Sequence, residues 1–270
     1  MIYKTLSNGT SMPMLGLGTY RLLEEDAYEI VLKALELGYR HIDTAMIYEN
    51  EEAVGRAIKA SGVAREDLFI TTKCWNEDQG YETTLKAFEL SLEKLGLEYI
   101  DLYLIHWPQP SSHETWRAFE EIYRNKKAKA IGVSNFNTQQ LEALLEEAKI
   151  VPMVNQVERH PFLVQSELKS MCDRYGIACE GWMPIARNKV ADSNAVLALA
   201  DKYHKTAAQI TLRWQIQTDW TVFPKTQSMI RLEENFDIFD FALTNEEVEI
   251  VNKLNENLRL GTNPNKYNFK

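Results

Sequence analysis

Short apolar runs of β-prone residues alternate along this chain with longer stretches in which apolar positions recur every three or four residues. The short runs are LGLGT near residues 15 to 19, RHIDT at 40 to 44, LFITTK at 68 to 73, IDLYLIH at 100 to 106, AKAIGVS at 128 to 134, PMVNQVE at 152 to 158, IACEGWM at 177 to 183 and WTVFPK at 220 to 225, eight in all. Between them lie helical patterns such as AYEIVLKALELG, ENEEAVGRAIKA, YETTLKAFELSLEKLG, HETWRAFEEIYRN, TQQLEALLEEA and QSELKSMCDRYG, several of which stop at glycine, as helix ends commonly do. Strand follows strand mostly at about 24 to 32 residues, the length of one β/α unit. A right-handed succession of eight such units predicts an α/β fold, the (β/α)8 TIM barrel. An open doubly wound sheet uses the same alternation, but the number of units and the length of 270 residues favour the barrel.

The pattern departs from regularity at both ends. An Asn8-Gly9 pair between β-prone stretches predicts an N-terminal β-hairpin, because both residues accept positive φ. Two helical patterns, SNAVLALADKYH and TAAQITLRWQIQ, separate the seventh and eighth runs, and TNEEVEIVNKLN precedes a polar tail, so extra C-terminal helices are expected against the barrel. No stretch rich in Pro, Gly or Ser divides the chain, and residues 1–270 read as one domain.

Composition narrows the function. A net charge of -9 repels polyanions and argues against a nucleic-acid partner, so any anionic ligand must be held by a local basic cluster. The Lys-rich NKKAKA at 125 to 130 reads as a solvated helix end. Cys74, Cys172 and Cys179 lack CxxC spacing, which speaks against a disulfide framework or zinc site and for a reducing compartment. The start has neither the basic opening nor the apolar core of a signal peptide, and no apolar run approaches about 18 residues. A cytoplasmic, soluble monomer with no membrane partner is the expectation.

In a β/α barrel the active site gathers at the C-terminal strand ends. Asp43 follows the second run, Lys73 closes the third, His106 closes the fourth, and Tyr48 lies in the loop DTAMIYENE. A phenol with an ordinary pKa near 10 is a weak acid at neutral pH, and a nearby Lys73 ammonium is expected to lower it. Asp43 would balance the lysine, and His106 would donate a hydrogen bond to a carbonyl oxygen. Asp43 and Lys73 alone could equally be a structural ion pair, Tyr48 a loop anchor and His106 a core histidine; their convergence on one barrel mouth favours catalysis. His41 and His160 read as structural, and His113 and His204 lie on helical stretches without ligand-spaced partners. With only His106 at a strand end, a metal-dependent hydrolase is disfavoured and no metal is expected. LGLGTYR carries Arg21 at the third glycine position of a dinucleotide fingerprint, so the Rossmann reading fails.

Six segments in order, HIDTAMIYENEEAVG, FITTKCW, YLIHWP, AIGVSNF, VNQVERHP and FPKTQSMIRLEEN, closely resemble the successive motifs of the aldo-keto reductases across essentially the whole chain. The short segment after HWPQP and the short tail are similar to the bacterial 2,5-diketo-D-gluconate reductase branch. The resemblance implies NADPH-dependent reduction of an aldehyde, ketone or diketo acid by direct hydride transfer, with Tyr48 as general acid and Asp43, Lys73 and His106 completing a tetrad. It places Ser134, Asn135 and Gln156 on the nicotinamide carboxamide and Gly18, Thr19 and Asp43 beside the cofactor. Lys225, Thr226 and Arg231 would take the 2′-phosphate, with Glu234 and Asn235 on the adenine; a phosphate on an acidic protein needs such cations.

One motif departs from the family. Trp182-Met183 stands where Tyr-Ser is frequent, which keeps an aromatic for stacking on the nicotinamide and loses a hydroxyl, with Arg187 and Asn188 as candidate pyrophosphate contacts. Tyr20, Trp75 and Trp107 are expected to line an apolar pocket for a small-molecule carbonyl, the alternative for each being rim packing. The competing functional reading is a nicotinamide-binding regulatory or scaffold protein with incidental turnover. The tail of about fifteen residues after the last helical pattern, without a long N-terminal extension, favours the enzyme.

Overall fold

The chain opens with an antiparallel hairpin of β1 (Tyr3–Thr5) and β2 (Ser11–Pro13) in the computed structural model, which describes residues 1–266. The turn differs from a two-residue Asn-Gly connection. Leu6 N donates to Thr10 O and Gly9 N to Leu6 O, both at 2.9 Å, and of the central residues only Gly9 has positive φ, at 87°. Three residues, 7 to 9, therefore span the strands, with the left-handed glycine closing the turn. Asn8 acts through its side chain instead, accepting from Thr10 N at 3.0 Å and donating to Lys129 O at 2.8 Å, which ties the hairpin to the barrel.

Eight parallel strands follow: β3 (Leu17–Gly18), β4 (His41–Asp43), β5 (Phe69–Cys74), β6 (Ile100–Ile105), β7 (Ala128–Ser134), β8 (Val154–Glu158), β9 (Ala178–Trp182) and β10 (Trp220–Val222). They pair in chain order from β3 to β10. Leu15 forms a parallel bridge with Val222, Gly16 N donates to Val222 O at 2.9 Å and Val222 N to Met14 O at 3.0 Å, so the first and last strands meet along a seam. Each predicted run supplies one strand.

The crossover helices are α1 (Glu24–Leu37), α2 (Glu51–Ser61), α3 (Tyr81–Leu95), α4 (Ser112–Arg124), α5 (Thr138–Glu147) and α6 (Ser166–Tyr175). One apolar core joins their inner faces to the strands. The longer span before β10 holds α7 (Asn194–Tyr203) and α8 (Ala207–Gln217) as expected. After β10 come α9 (Met229–Phe236), an eight-residue helix that the pattern did not announce, and α10 (Asn245–Asn252). Val196, Leu199, Ile210, Trp214, Leu243 and Val251 form a second small core among α7, α8 and α10. Buried Arg159, just after β8, fastens this addition to the barrel. Its guanidinium lies 3.9 Å from the Trp214 ring centroid and 4.6 Å from that of Trp220, and donates to Gln215 Oε1 and Thr218 Oγ1. Among the described residues no helix is long and apolar enough to cross a membrane.

His41 has the structural role expected of it. Nδ1 lies 3.0 Å from Pro13 O and Nε2 3.0 Å from Thr71 Oγ1. A carbonyl only accepts, so Nδ1 carries the hydrogen; burial keeps the ring neutral, and Nε2 then accepts from the hydroxyl. Burial pushes its pKa down to about 4. Because the unfolded imidazole takes a proton near 6.5, stability due to this site is present above that pH and is lost as pH falls towards 4. Urea unfolding between these pH values should show wild-type protein losing up to about 3 kcal/mol more than His41→Gln, which does not titrate. Parallel pH curves for the two proteins would refute the assignment.

Candidate functional site at the barrel mouth

The strand ends bring the four predicted side chains together. Asp43 ends β4, Lys73 lies near the end of β5, His106 directly follows β6, and Tyr48 closes a single 3-10 turn, Met46–Tyr48. The Lys73 side chain is 0% exposed, and its Nζ donates to Asp43 Oδ1 at 2.7 Å and Thr44 O at 2.8 Å. Gln156 Nε2 donates to the other carboxylate oxygen, Asp43 Oδ2, at 2.8 Å. Gly18 pairs with Asp43 across the strands, and Thr19 N and Oγ1 both donate to Asp43 O.

Above this pair the aromatic rings form a wall. Tyr48 meets His106 edge-on with centroids 5.6 Å apart, Tyr20 lies 5.2 Å from Tyr48, and Trp75 lies 5.2 Å from His106. Lys73 Nζ is 5.2 Å from the Tyr48 centroid. Trp107 is buried, with its backbone carbonyl accepting from Gln79 Nε2 at 2.7 Å.

The electrostatics correct one expectation. Burial, followed by the Asp43 carboxylate and Tyr20, pushes the Tyr48 phenol well above 10 in the unliganded protein, so Lys73 does not bring it down. Burial, which penalises the phenolate, is the largest cause, and the Asp43 carboxylate adds to it. Tyr48 is therefore fully protonated at neutral pH. Burial and then Lys73 hold the His106 imidazole well below 6.5, which keeps it neutral. Its buried Nδ1 makes no hydrogen bond among the described residues.

The next three strand ends interlock. Ser134 Oγ donates to Gln156 O at 2.9 Å. Asn135, left-handed at φ 66°, donates from Nδ2 to His106 O at 2.9 Å and Ser134 Oγ at 3.0 Å, and accepts at Oδ1 from Trp182 Nε1 at 2.9 Å. Each of these side chains thus orients another, with Trp182 half-buried beside them. Sequence reasoning missed what covers Trp182. The Glu158 carboxylate, at the end of β8, accepts from Leu260 N at 2.6 Å, Gly261 N at 3.0 Å, Arg259 at 3.3 Å and His160 Nε2 at 3.1 Å. This strap lays Gly261 so closely on the indole that an added Cβ would fall 2.4 Å from Cη2. Nothing in NQVERHP signals a partner some hundred residues later.

Lys225, Thr226, Arg231, Glu234 and Asn235 cluster on the loop after β10 and on α9. Thr226 Oγ1 accepts from Ser228 N at 3.0 Å, and exposed Arg231 stands in the first turn of α9. Partial burial, followed by repulsion from Arg21, lowers the pKa of Lys225. Arg21 is a second residue that sequence reasoning missed, although it occupies the position that spoiled the LGLGTYR fingerprint. Arg187 and Asn188 are exposed after β9 in left-handed conformations, at φ 52° and 71°. Among the described residues no three His, Cys, Asp or Glu side chains form a group able to hold a metal ion.

The model of the aldo/keto reductase family matches residues 6–256. The chain is 51% identical to the glyoxal reductase of Bacillus subtilis (strain 168) over 98% of its own length and 96% of that protein's. Its fold matches MGS-M4, an aldo-keto reductase enzyme from a Medee basin deep-sea metagenome library, with a TM-score of 0.97 at 47% identity, covering 98% of this chain and 100% of that one. A Gox0644 variant in complex with NADPH matches with a TM-score of 0.95 at 36% identity, covering 99% of both chains.

The buried ion pair makes its own prediction. Lys73→Met leaves the buried Asp43 carboxyl without its partner, and should destabilise the protein by about 3–5 kcal/mol in denaturant titrations. Adding Asp43→Asn removes the orphaned carboxyl and should recover much of the loss. A double variant no more stable than Lys73→Met would show that the pair is not its source.

Proposed function

This chain belongs to the aldo/keto reductase family and is an oxidoreductase of carbonyl compounds, and we propose that it uses NADPH to reduce small aldehydes, ketones or diketo acids, with Tyr48 as the proton donor. The observation that carries this reading is the Tyr48 ring set edge-on to His106 above the buried Asp43–Lys73 pair. Burial keeps the proton on Tyr48 at rest, and an alkoxide oxygen forming beside it is a stronger base than an ordinary phenolate. Tyr48 can therefore keep its proton until charge develops on the carbonyl oxygen and release it then. Neutral His106 has one ring N–H to donate to that oxygen, which fixes the approach of the substrate. Lys73 and Asp43 hold the floor beneath the phenol without adding net charge.

The residues present suit a nicotinamide dinucleotide. Ser134, Asn135 and Gln156 form a buried row of hydroxyl and amide groups beside the flat Trp182 indole, chemistry that matches a carboxamide on an aromatic ring. Gly18 and Thr19 leave the backbone close to that site. Lys225, Arg21 and Arg231 gather positive charge on a protein of net charge -9, as phosphate recognition requires, with Glu234 and Asn235 next to them for the adenine. When bound, NADPH supplies the hydride that reduces the carbonyl carbon. Tyr20, Trp75 and Trp107 surround the reacting position with apolar surface, and the similarity to a glyoxal reductase favours small dicarbonyls.

Following NADPH oxidation with methylglyoxal, aromatic aldehydes and 2,5-diketo-D-gluconate tests the activity directly. Tyr48→Phe should lower kcat by at least about 100-fold, the usual scale of general acid catalysis, while leaving the NADPH Kd within about threefold. Near-normal turnover would remove Tyr48 from its role. Arg231→Ala should weaken NADPH at least about tenfold more than NADH, since it deletes a charged contact to the 2′-phosphate alone. Equal weakening of both cofactors would reject that contact.

A further inference from the structure

Gln156 commits its Nε2 to two carboxyl groups. One hydrogen goes to Asp43 Oδ2 at 2.8 Å, and the other to Glu180 Oε2 at 2.9 Å. Glu180 lies in the middle of β9 and is 0% exposed, inside the barrel. Its Oε1 has no hydrogen-bond partner among the described residues, and neither has the buried Oγ1 of Thr221, its register neighbour on β10.

The charge count around this group is unbalanced. Asp43 faces it from β4 and Lys73 from β5, while Gln156 on β8 and Thr221 on β10 are neutral. Lys73 is already bound to Asp43 and Thr44 O. Cys179, next along β9, points to the opposite face towards Cys172 of α6. One buried ammonium cannot balance two buried carboxylates, so one carboxyl has to keep its proton. Asp43 has the lysine at 2.7 Å, which leaves the proton to Glu180.

We propose that Glu180, held as a neutral acid, is a positioning residue for carbonyl reduction: it fixes Gln156 as the bridge that keeps Asp43, and through it Lys73, in place beneath Tyr48. This proposal rests on the reductase reading above. When Glu180 ionises, its own bond from Gln156 tightens, but a second buried negative charge repels Asp43 and draws on the same ammonium, and the floor under the phenol shifts. Burial pushes its pKa up to about 8. The neutral form and the balanced charge beneath the phenol therefore exist below that pH and are lost above it. Tyr48 is held above 10 and His106 well below 6.5, so neither titrates in that window.

Two measurements test this. Carbon-13 NMR of the unliganded protein labelled at glutamate carboxyls should show one signal titrating near pH 8 that is missing from Glu180→Gln. The kcat/KM for methylglyoxal with NADPH should fall about fivefold or more in wild-type protein between about pH 7 and pH 9.5, and change less than about twofold in Glu180→Gln. An alkaline fall that persists unchanged in Glu180→Gln overturns the proposal. So does the absence of any glutamate titrating between about pH 7 and 9, a result that needs no variant to fold. Wild-type protein that reduces no carbonyl at any pH while its carboxyl titrates near 8 overturns the reductase reading, and the positioning role falls with it.

Discussion

Lys73 sits in the barrel interior without access to water, and an ammonium there is tolerated only against a fixed negative charge. Asp43 supplies it, and much else follows. To present the carboxylate, β4 has to end at the mouth beside β5, with Gly18 and Thr19 of the first strand holding its backbone. To satisfy the second carboxylate oxygen, Gln156 has to reach across the barrel from β8. Burial leaves Tyr48 a protonated phenol and, together with Lys73, keeps His106 a neutral donor, so the chemistry is set by position and burial more than by a field tuned to lower the phenol's pKa.

The polar groups at the mouth serve one another before they serve any ligand. Asn135 is bonded on three sides, to His106 O, Ser134 and Trp182, and the indole is covered in turn by the strap that Glu158 holds. Such a network fixes side-chain directions in advance, which lowers the entropy lost when a substrate is gripped. A ligand that replaces one of these bonds must offer an equivalent one, which favours amides and hydroxyls over apolar groups of the same shape.

Much of this was legible in the sequence. Short apolar runs and their spacing marked every barrel strand, since a strand buried on both faces has few residue types open to it. The four side chains at the mouth were legible because Asp43, Lys73 and His106 lie at strand ends and Tyr48 in the loop that follows Asp43. What escaped depends on tertiary contact. Glu180 looks like any residue of IACEGWM until the barrel closes around it. Glu158 gains meaning only from backbone amides near residue 260, and α9 is too short for a helical period to show. Asn8 was read correctly as a hairpin residue, but for the wrong torsion, because a third loop residue let Gly9 alone take the left-handed position. The expected drop in the Tyr48 pKa failed because a sequence shows the nearby lysine but not how deeply the phenol is buried.

The seam between Leu15 and Val222 joins the two ends of the sheet. In the unfolded chain Asp43 and Glu180 are apart and hydrated, and at neutral pH both carry charge. The closed barrel brings them onto a single amide and shuts out water, which holds only if a proton is taken from the medium. Closure of this barrel is thus coupled to buffer acidity, and its stability falls as the solution becomes alkaline even though no residue on the outer surface is involved.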